Sequence, residues 1–529
     1  MRHPRSPFLL PLAVAFSALA LASPLRSQAF TRVIGAGDAL PGLPSPLGSI
    51  SEAPGMSGDH IAFVGTYQEG AGFVTAVFSN ASGSFEIVAR TGQTMPTESV
   101  PFQFLFRMAV DGDSVAVLGS SFVGGIAREG IYGNHTGALT EYVDRSDFIP
   151  GGSGPFTQIA NRPFSMDGGR AVFNGSGNSQ QRGVYMVDAF TGFVQRIADG
   201  STATPGQPAG STFFTFGAPH IHAERVSFAA SSSTASGIYD QYGAGVAPLQ
   251  LLADTSTVLP FGGTANLLAA IAIDEADSVI QAYSPDAGLH THVDNQLATL
   301  ADGATPIPGG SGTFPEFNNF AISGGRVVFE AYDFIQGGQL GVFTNWCGAL
   351  TPLVVPGDVI DGQVVQHVLF DEDSLDGDQL LASISFTSGL PAIYLIDLSA
   401  VRHYGEAYAS PGNLRPTLSA IGCPAPGSAV EFRLRDGPVG GGGFLASGLA
   451  AASVPFFNGG TLLVQPDFLH PISLEAPTSV ISGGWHDSLQ QVPNDPAFSG
   501  VTFYAQAVLR DPLLAGAWLF SDGLELPIQ

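Results

Sequence analysis

Ser323-Gly324-Gly325-Arg326-Val327-Val328-Phe329 is the stretch that decides the fold. The Gly-Gly pair supplies the positive φ that a tight hairpin turn requires, and the strand after it is apolar on successive residues, not alternate ones. Such a strand is buried on both faces, as in a sheet packed between two others. The same text returns along the chain. Asp167-Gly168-Gly169-Arg170-Ala171-Val172-Phe173 is a close copy, and further copies begin at Ser57, Asp111, His222, Glu275 and Asp376. Marked at the residue after the turn, the seven copies fall at 60, 114, 170, 225, 278, 326 and 379, spaced by 54, 56, 55, 53, 48 and 53 residues. Self-similarity at so steady a period is the signature of a repeat architecture.

Each copy carries further matching parts. A second strand ends on an aromatic pair such as Val77-Phe78, Ile131-Tyr132, Val184-Tyr185, Ile238-Tyr239, Val342-Phe343 or Ile393-Tyr394. A third strand runs into a Gly/Pro turn, as in Val194 to Gly200 and Leu297 to Gly303, and a fourth short strand precedes the next copy. Four strands in about 53 residues is the content of one propeller blade. The seventh copy reaches Leu398 without its third strand, whereas Arg32-Val33-Ile34-Gly35-Ala36-Gly37-Asp38 ahead of the first copy reads as one. The expectation is therefore an all-β protein: a seven-bladed β-propeller over 30–400, closed by an N-terminal strand. An open solenoid would want polar capping repeats, and none is visible. From about His403 the repeat gives way to Pro/Gly-rich turns between short apolar strands such as Thr461–Val464 and Val501–Ala507, which reads as a C-terminal β-sandwich over 401–529. The run Gly440 to Gly443 lacks a strand-to-helix phosphate pattern and reads as a loop.

Residues 1–29 read as a signal peptide: Arg2 and Arg5, the apolar stretch Phe8 to Ala22, then Ser27-Gln28-Ala29 as a cleavage site. About 15 apolar residues are short for a membrane span. Export follows, to the extracellular space, the cell surface or the periplasm, with no membrane span in the mature chain. The formal charge is −26, and all 19 basic residues are arginine, yet only 12% of residues are charged. Nucleic acid and anionic membranes need a basic face, so neither is an expected partner. Cys347 and Cys423 could form a disulfide in an exported protein or remain two buried thiols.

The turn-plus-strand Ser323 to Phe329, the Gly-Val-Phe of Gly341 to Phe343 and the Ala-Asp-Gly turns resemble those of uncharacterised propeller-like repeat proteins secreted by environmental bacteria. The C-terminal segment is similar to an all-β domain that recurs at the ends of secreted proteins in such organisms. The resemblance covers nearly all of the mature chain. It implies a fold and an extracellular address, and no activity.

Two groups of residues are candidate metal ligands. Asp371, Asp373, Asp376 and Asp378 alternate with other residues around Gly377, as in a calcium loop, although the spacing departs from that loop by one residue and no closing Glu follows. A solvated turn is the alternative. His220 with His222, and His290 with His292 near Asp294, are His-x-His pairs; on a strand, i and i+2 share a face and can chelate a transition metal. Against this, His290 stands where other copies place a buried aromatic. Calcium is the one cofactor considered. No nucleophile elbow, zinc-binding helix or aspartate box is present, so no catalytic residue is assigned. The function expected from these observations is a non-enzymatic binding or structural protein, secreted or at the cell surface, meeting a glycan or protein partner. The alternative is a secreted propeller hydrolase or lyase acting on polysaccharide.

Overall fold

Turns with consecutive residues at positive φ fold the chain straight back on itself. In this protein they lie within the sheets. The computed structural model describes residues 30–528 except 160–162, 179–180, 244–246, 261–262, 275–276, 284–286, 294–295, 335–336, 347–348, 399–401, 406, 409–415, 422–423, 439, 456–459, 475–483 and 513–517. The expected signal peptide over 1–29, Cys347, Cys423 and Asp294 lie outside the described residues. Among those described, the chain is all-β, with two short 3-10 segments and no α-helix.

Seven antiparallel sheets follow one another, called I to VII here. In sheet II, Phe104–Asp111, Ser114–Val123, Ile126–Gly133 and Thr140–Asp144 pair in chain order. Sheets I, III, IV, V and VI repeat this plan over 47–90, 158–199, 213–254, 267–302 and 317–354. Sheet VII takes Gln363–Leu369, Gln379–Phe386 and Ala392–Asp397 from the end of the repeat region, and its outer strand is Phe30–Gly35. The sheets are thus cut one strand earlier than the sequence repeat suggests, and the Gly/Asp turn joins a sheet's first strand to its second.

Packing explains the apolar text. Val327, Val328 and Phe329 are all 0% exposed, because one buried cluster lies on each side of the strand. Sheets III and IV share a cluster that sets Val172 and Met186 against Phe213, Ile221 and Phe228, and each other consecutive pair shares one likewise. The cluster of sheets I and II also takes in Ile34, Leu381 and Ile393 of sheet VII. The repeated aromatic stands in register with the strand beside it: Phe63 opposite Phe78, Val117 opposite Tyr132, Phe173 opposite Tyr185 and Phe228 opposite Tyr239. In sheet V, His290 occupies that place opposite Ile280.

A second repeated device links the sheets through polar atoms. The residue that ends the first strand of one sheet accepts a backbone N–H from the turn of the next. Ser57 Oγ accepts from Gly112 at 3.0 Å, and Asp111 accepts from Gly169 at 2.8 Å. Asp167 accepts from Ala223 and Glu224, and Asp274 from Gly324. Asp376 of sheet VII accepts from Gly58 of sheet I. The turn must present its N–H inward, and the backbone that does so has positive φ, as at Gly168 (57°) and Gly169 (70°). Sheet IV makes the same turn with Ala223 (46°) and Glu224 (66°), a conformation that side chains disfavour.

Beyond residue 400, Arg402–Tyr404, Gly523–Pro527, Thr502–Arg510, Gly442–Gly448 and Phe468–Ser473 form one sheet, in that order. Thr417–Ile421, Ala429–Gly437 and Gly484–Gln491 form a second. Leu418, Val430 and Leu434 of the second share a buried cluster with Leu445, Ala507 and Leu524 of the first.

Candidate functional site

The first strands of all seven sheets end around one cavity of about 280 Å³. Each contributes the residue before its turn: Ser57, Asp111, Asp167, His222, Asp274, Ser323 and Asp376. Five of them, all but His222 and Ser323, are the linking residues described above, so the contacts that join neighbouring sheets also line the cavity. Farther from the turns, His220, Glu372 and Asp373 complete the polar lining, which contains six carboxyl groups, two imidazoles and no arginine.

The acidic residues arrive there by an interruption in the first strand of sheet VII. After Leu369 the chain leaves strand geometry, makes the 3-10 turn Glu372–Ser374, and resumes as Leu375–Asp376. Ser374 is buried; its hydroxyl accepts the Asp371 N–H at 3.0 Å and also bonds the Pro54 carbonyl of sheet I. This pinned turn holds three consecutive acids against the cavity. Burial pushes the carboxyl of Asp371 up to about 7, with the Glu372 charge adding to the effect, and burial alone does the same to Glu372. Asp373 is raised well above its ordinary value by burial and by both neighbouring acids. His220 is 6% exposed, and burial lowers its imidazole to about 4. Its Nδ1 stands 3.3 Å from Glu372 Oε1, while His222 Nε2 stands 3.3 Å from Asp274 Oδ1.

The candidate ligands divide accordingly. Asp373, Asp376, His220 and His222 come together at the cavity from sheets IV and VII, although some 150 residues separate the pairs. Asp371 lies just behind Glu372, and Asp378 stands on the far side of the Asp376-Gly377 turn and does not line the cavity. The four aspartates therefore do not wrap one loop. His290 is 1% exposed with Nδ1 3.2 Å from Thr299 Oγ1, a core histidine in an aromatic's place. His292 pairs with Ser278 and Leu297 in sheet V, and neither residue of that pair reaches the cavity. Among the described residues, the group of three acids within 4.8 Å of one another is Glu141, Asp144 and Asp147, which sequence reading missed. Asp144 is the turn residue that accepts the N–H and hydroxyl of Ser146, so its signal was the Ala-Asp-Gly type turn itself.

The raised carboxyls make a testable statement about stability. Between the ordinary carboxylate range and about 7, the folded protein holds protons on Asp371 and Glu372 that the unfolded chain has released, so this contribution to stability falls as pH rises. His220 acts oppositely: the unfolded chain binds the proton first, so its contribution rises with pH between about 4 and 6.5. Asp373→Asn isolates the acidic effect. Removing a buried charge there is expected to stabilise the protein by about 1–2 kcal/mol at pH 8 and to do little at pH 4, read from thermal melts at both values.

Four-stranded sheets set around a common cavity define a β-propeller. The chain belongs to a family of unknown function (DUF7453), whose model matches residues 23–389. No curated protein matches it. Among solved structures it is similar to the β-propeller domain of the trilobed protease from Pyrococcus furiosus, at 9% identity and TM-score 0.42, covering 66% of this chain and 95% of that one. It is similar also to the Pyrococcus horikoshii acylaminoacyl peptidase (11%, TM-score 0.39, 73% of this chain, 58% of that one). A puromycin-hydrolysing peptidase from Mycobacterium tuberculosis gives 13% and TM-score 0.41, over 76% of this chain and 61% of that one. The chain thus spans about three-fifths of the two whole enzymes. The expectation of a non-enzymatic binding or structural protein is corrected by these neighbours, which are two peptidases and the propeller domain of a protease. At such identities the likeness is one of fold alone.

Proposed function

We propose that the seven sheets are the blades of one closed ring, and that the cavity at their inner ends is a hydrolytic site for a neutral polysaccharide. The pairing of Phe30–Gly35 with Ala392–Asp397 and the Asp376–Gly58 bond support closure. The observation that carries the chemistry is Glu372, a cavity carboxyl raised to about 7 and set 3.3 Å from His220. A carboxyl that keeps its proton near neutral pH can protonate a departing glycosidic oxygen. The His222–Asp274 pair supplies the complementary base: Asp274 orients the imidazole, which takes a proton from the attacking water. Water adds to the anomeric carbon as the glycosidic bond breaks, and both protons are accounted for. A lining of acids without arginine offers no anchor to phosphate or sulfate esters. This reading keeps the exported address implied by the leader over 1–29. It takes the units sharing the Leu418–Leu524 cluster as a C-terminal β-sandwich.

The test is release of reducing ends from xylan, mannan, starch and mixed-linkage β-glucan by the full mature chain. The rate is expected to fall as pH rises above about 7, where Glu372 loses its proton. Glu372→Gln should lower the rate by roughly 10²–10⁴-fold without lowering the melting temperature. No release from any of these polymers, or an unaffected Glu372→Gln rate, refutes the assignment.

A further inference from the structure

A second site lies between sheets III and IV. A groove of about 390 Å³ is lined by Gln158, Asn174, Gln181, Arg182, Thr215 and Phe216. It adjoins a cavity of about 480 Å³ that shares Gln181 and Arg182 and adds Phe214. Phe214 is 62% exposed, and the Arg182 guanidinium stands 5.7 Å over its ring. Asn174 is 6% exposed; its amide nitrogen donates to the Gly217 carbonyl at 2.7 Å, while its Oδ1 has no hydrogen-bond partner among the described residues. The floor is kept low by glycine. At Gly177 a Cβ would come within 2.3 Å of Ile149 Cδ1.

We propose that this groove is a binding subsite for a neutral glycan chain, a reading that rests on the polysaccharide assignment above and extends it. Carboxamides and a threonine hydroxyl both donate and accept, which matches sugar hydroxyls that do the same. The exposed face of Phe214 provides the apolar platform that the C–H side of a pyranose needs, with Arg182 fixed on it. Asp199 in the adjoining cavity and the −26 charge of the chain disfavour polyanions there. The strand Phe213–His222 joins the two sites: Thr215 and Phe216 line the groove, and His220 and His222 line the catalytic cavity. Five residues of strand separate Thr215 from His220, about 16 Å, so a chain held in the groove would be gripped several sugar units from the bond that is cut.

Affinity electrophoresis of the full mature chain tests this, with xylan, mannan, starch or mixed-linkage β-glucan cast into the gel, and alginate and casein as the anionic and polypeptide arms. At least one neutral polysaccharide should retard the protein. Phe214→Ala and the double variant Gln181→Ala/Arg182→Ala should weaken that retardation at least tenfold, both in the wild-type background and in the Glu372→Gln background, where the polymer is not cut. Retardation by none of the neutral polymers, by alginate or casein alone, or equally in Phe214→Ala overturns the subsite. Binding without hydrolysis by the wild type would remove the catalytic assignment and leave the groove standing.

Discussion

Arg225→Ala should cost about 3–5 kcal/mol of stability, the penalty for stripping the partner from a buried charge. Arg225 is 1% exposed and Asp240 is 3% exposed. The guanidinium donates to Asp240 Oδ2 through Nη2 at 2.8 Å and Nε at 3.2 Å, and Nη1 donates to the Asp277 carbonyl of sheet V at 2.8 Å. Ser227 donates its hydroxyl to the other Asp240 oxygen. Alanine would leave that carboxylate in the interior with the hydroxyl as its main support, and would cut the link from sheet IV to sheet V. Urea denaturation measures the loss. The double variant Arg225→Met/Asp240→Leu should recover most of it, because a buried pair replaced by apolar groups of similar volume is close to neutral. A single variant as stable as the wild type would show that the pair holds nothing together.

Starting the chain at Ala36, without Phe30–Gly35, is the second large effect. That strand pairs with Ala392–Asp397 from Phe30 opposite Ile396 to Gly35 opposite Ala392, with a bulge between Arg32 and Ile34. It buries Ile34 to 3% exposure and packs Phe30 onto the cluster of sheets VI and VII. Its loss removes a set of ladder bonds and two apolar contacts, at least about 5 kcal/mol together. It also uncovers Ala392-Ile393-Tyr394-Leu395-Ile396-Asp397 as an unpaired edge, a template for association between chains. The truncated protein should melt earlier and elute as oligomers on size exclusion. A peptide spanning residues 30–38 added in trans should restore the monomer by strand addition. A truncated chain that stays monomeric with an unchanged melt would refute the closing role of this strand.

The pairing of the N-terminal strand with sheet VII was legible because Arg32 to Asp38 repeats the text of Arg196 to Gly200, and a strand surplus at one end matched a deficit at the other. The buried aromatics and the exceptional place of His290 were legible for the same reason: a repeat compares each position with six others. The weak copy at Ala223-Glu224 hid its turn, since sheet IV enforces positive φ there without glycine. The cavity was only half legible. His220, His222, Asp373 and Asp376 each stood out, but nothing local says that sheet IV meets sheet VII across a common space. Glu372, Asp274 and Asp111 were not singled out as site residues, because a site built from one residue per repeat has no motif. The phase of the sheets was misread by one strand: a turn marks where the chain reverses, and reversal inside a sheet and between sheets look alike in sequence.

The links through Ser57, Asp111, Asp167, Asp274 and Asp376 all point the same way, each from one sheet to the turn of the next. In the proposed ring, sheets joined in this way are head-to-tail protomers, the single-chain counterpart of a cyclic oligomer, and such contacts close only when the rotation per unit divides the circle. The copy number is consequently a geometric property of the interface between neighbours. A duplicated or deleted repeat would keep every local contact and still leave Asp376 facing the wrong distance from Gly58. In the proposed ring, then, the family can vary its cavity residue by residue, but it can change the number of units only by altering the angle at every junction together.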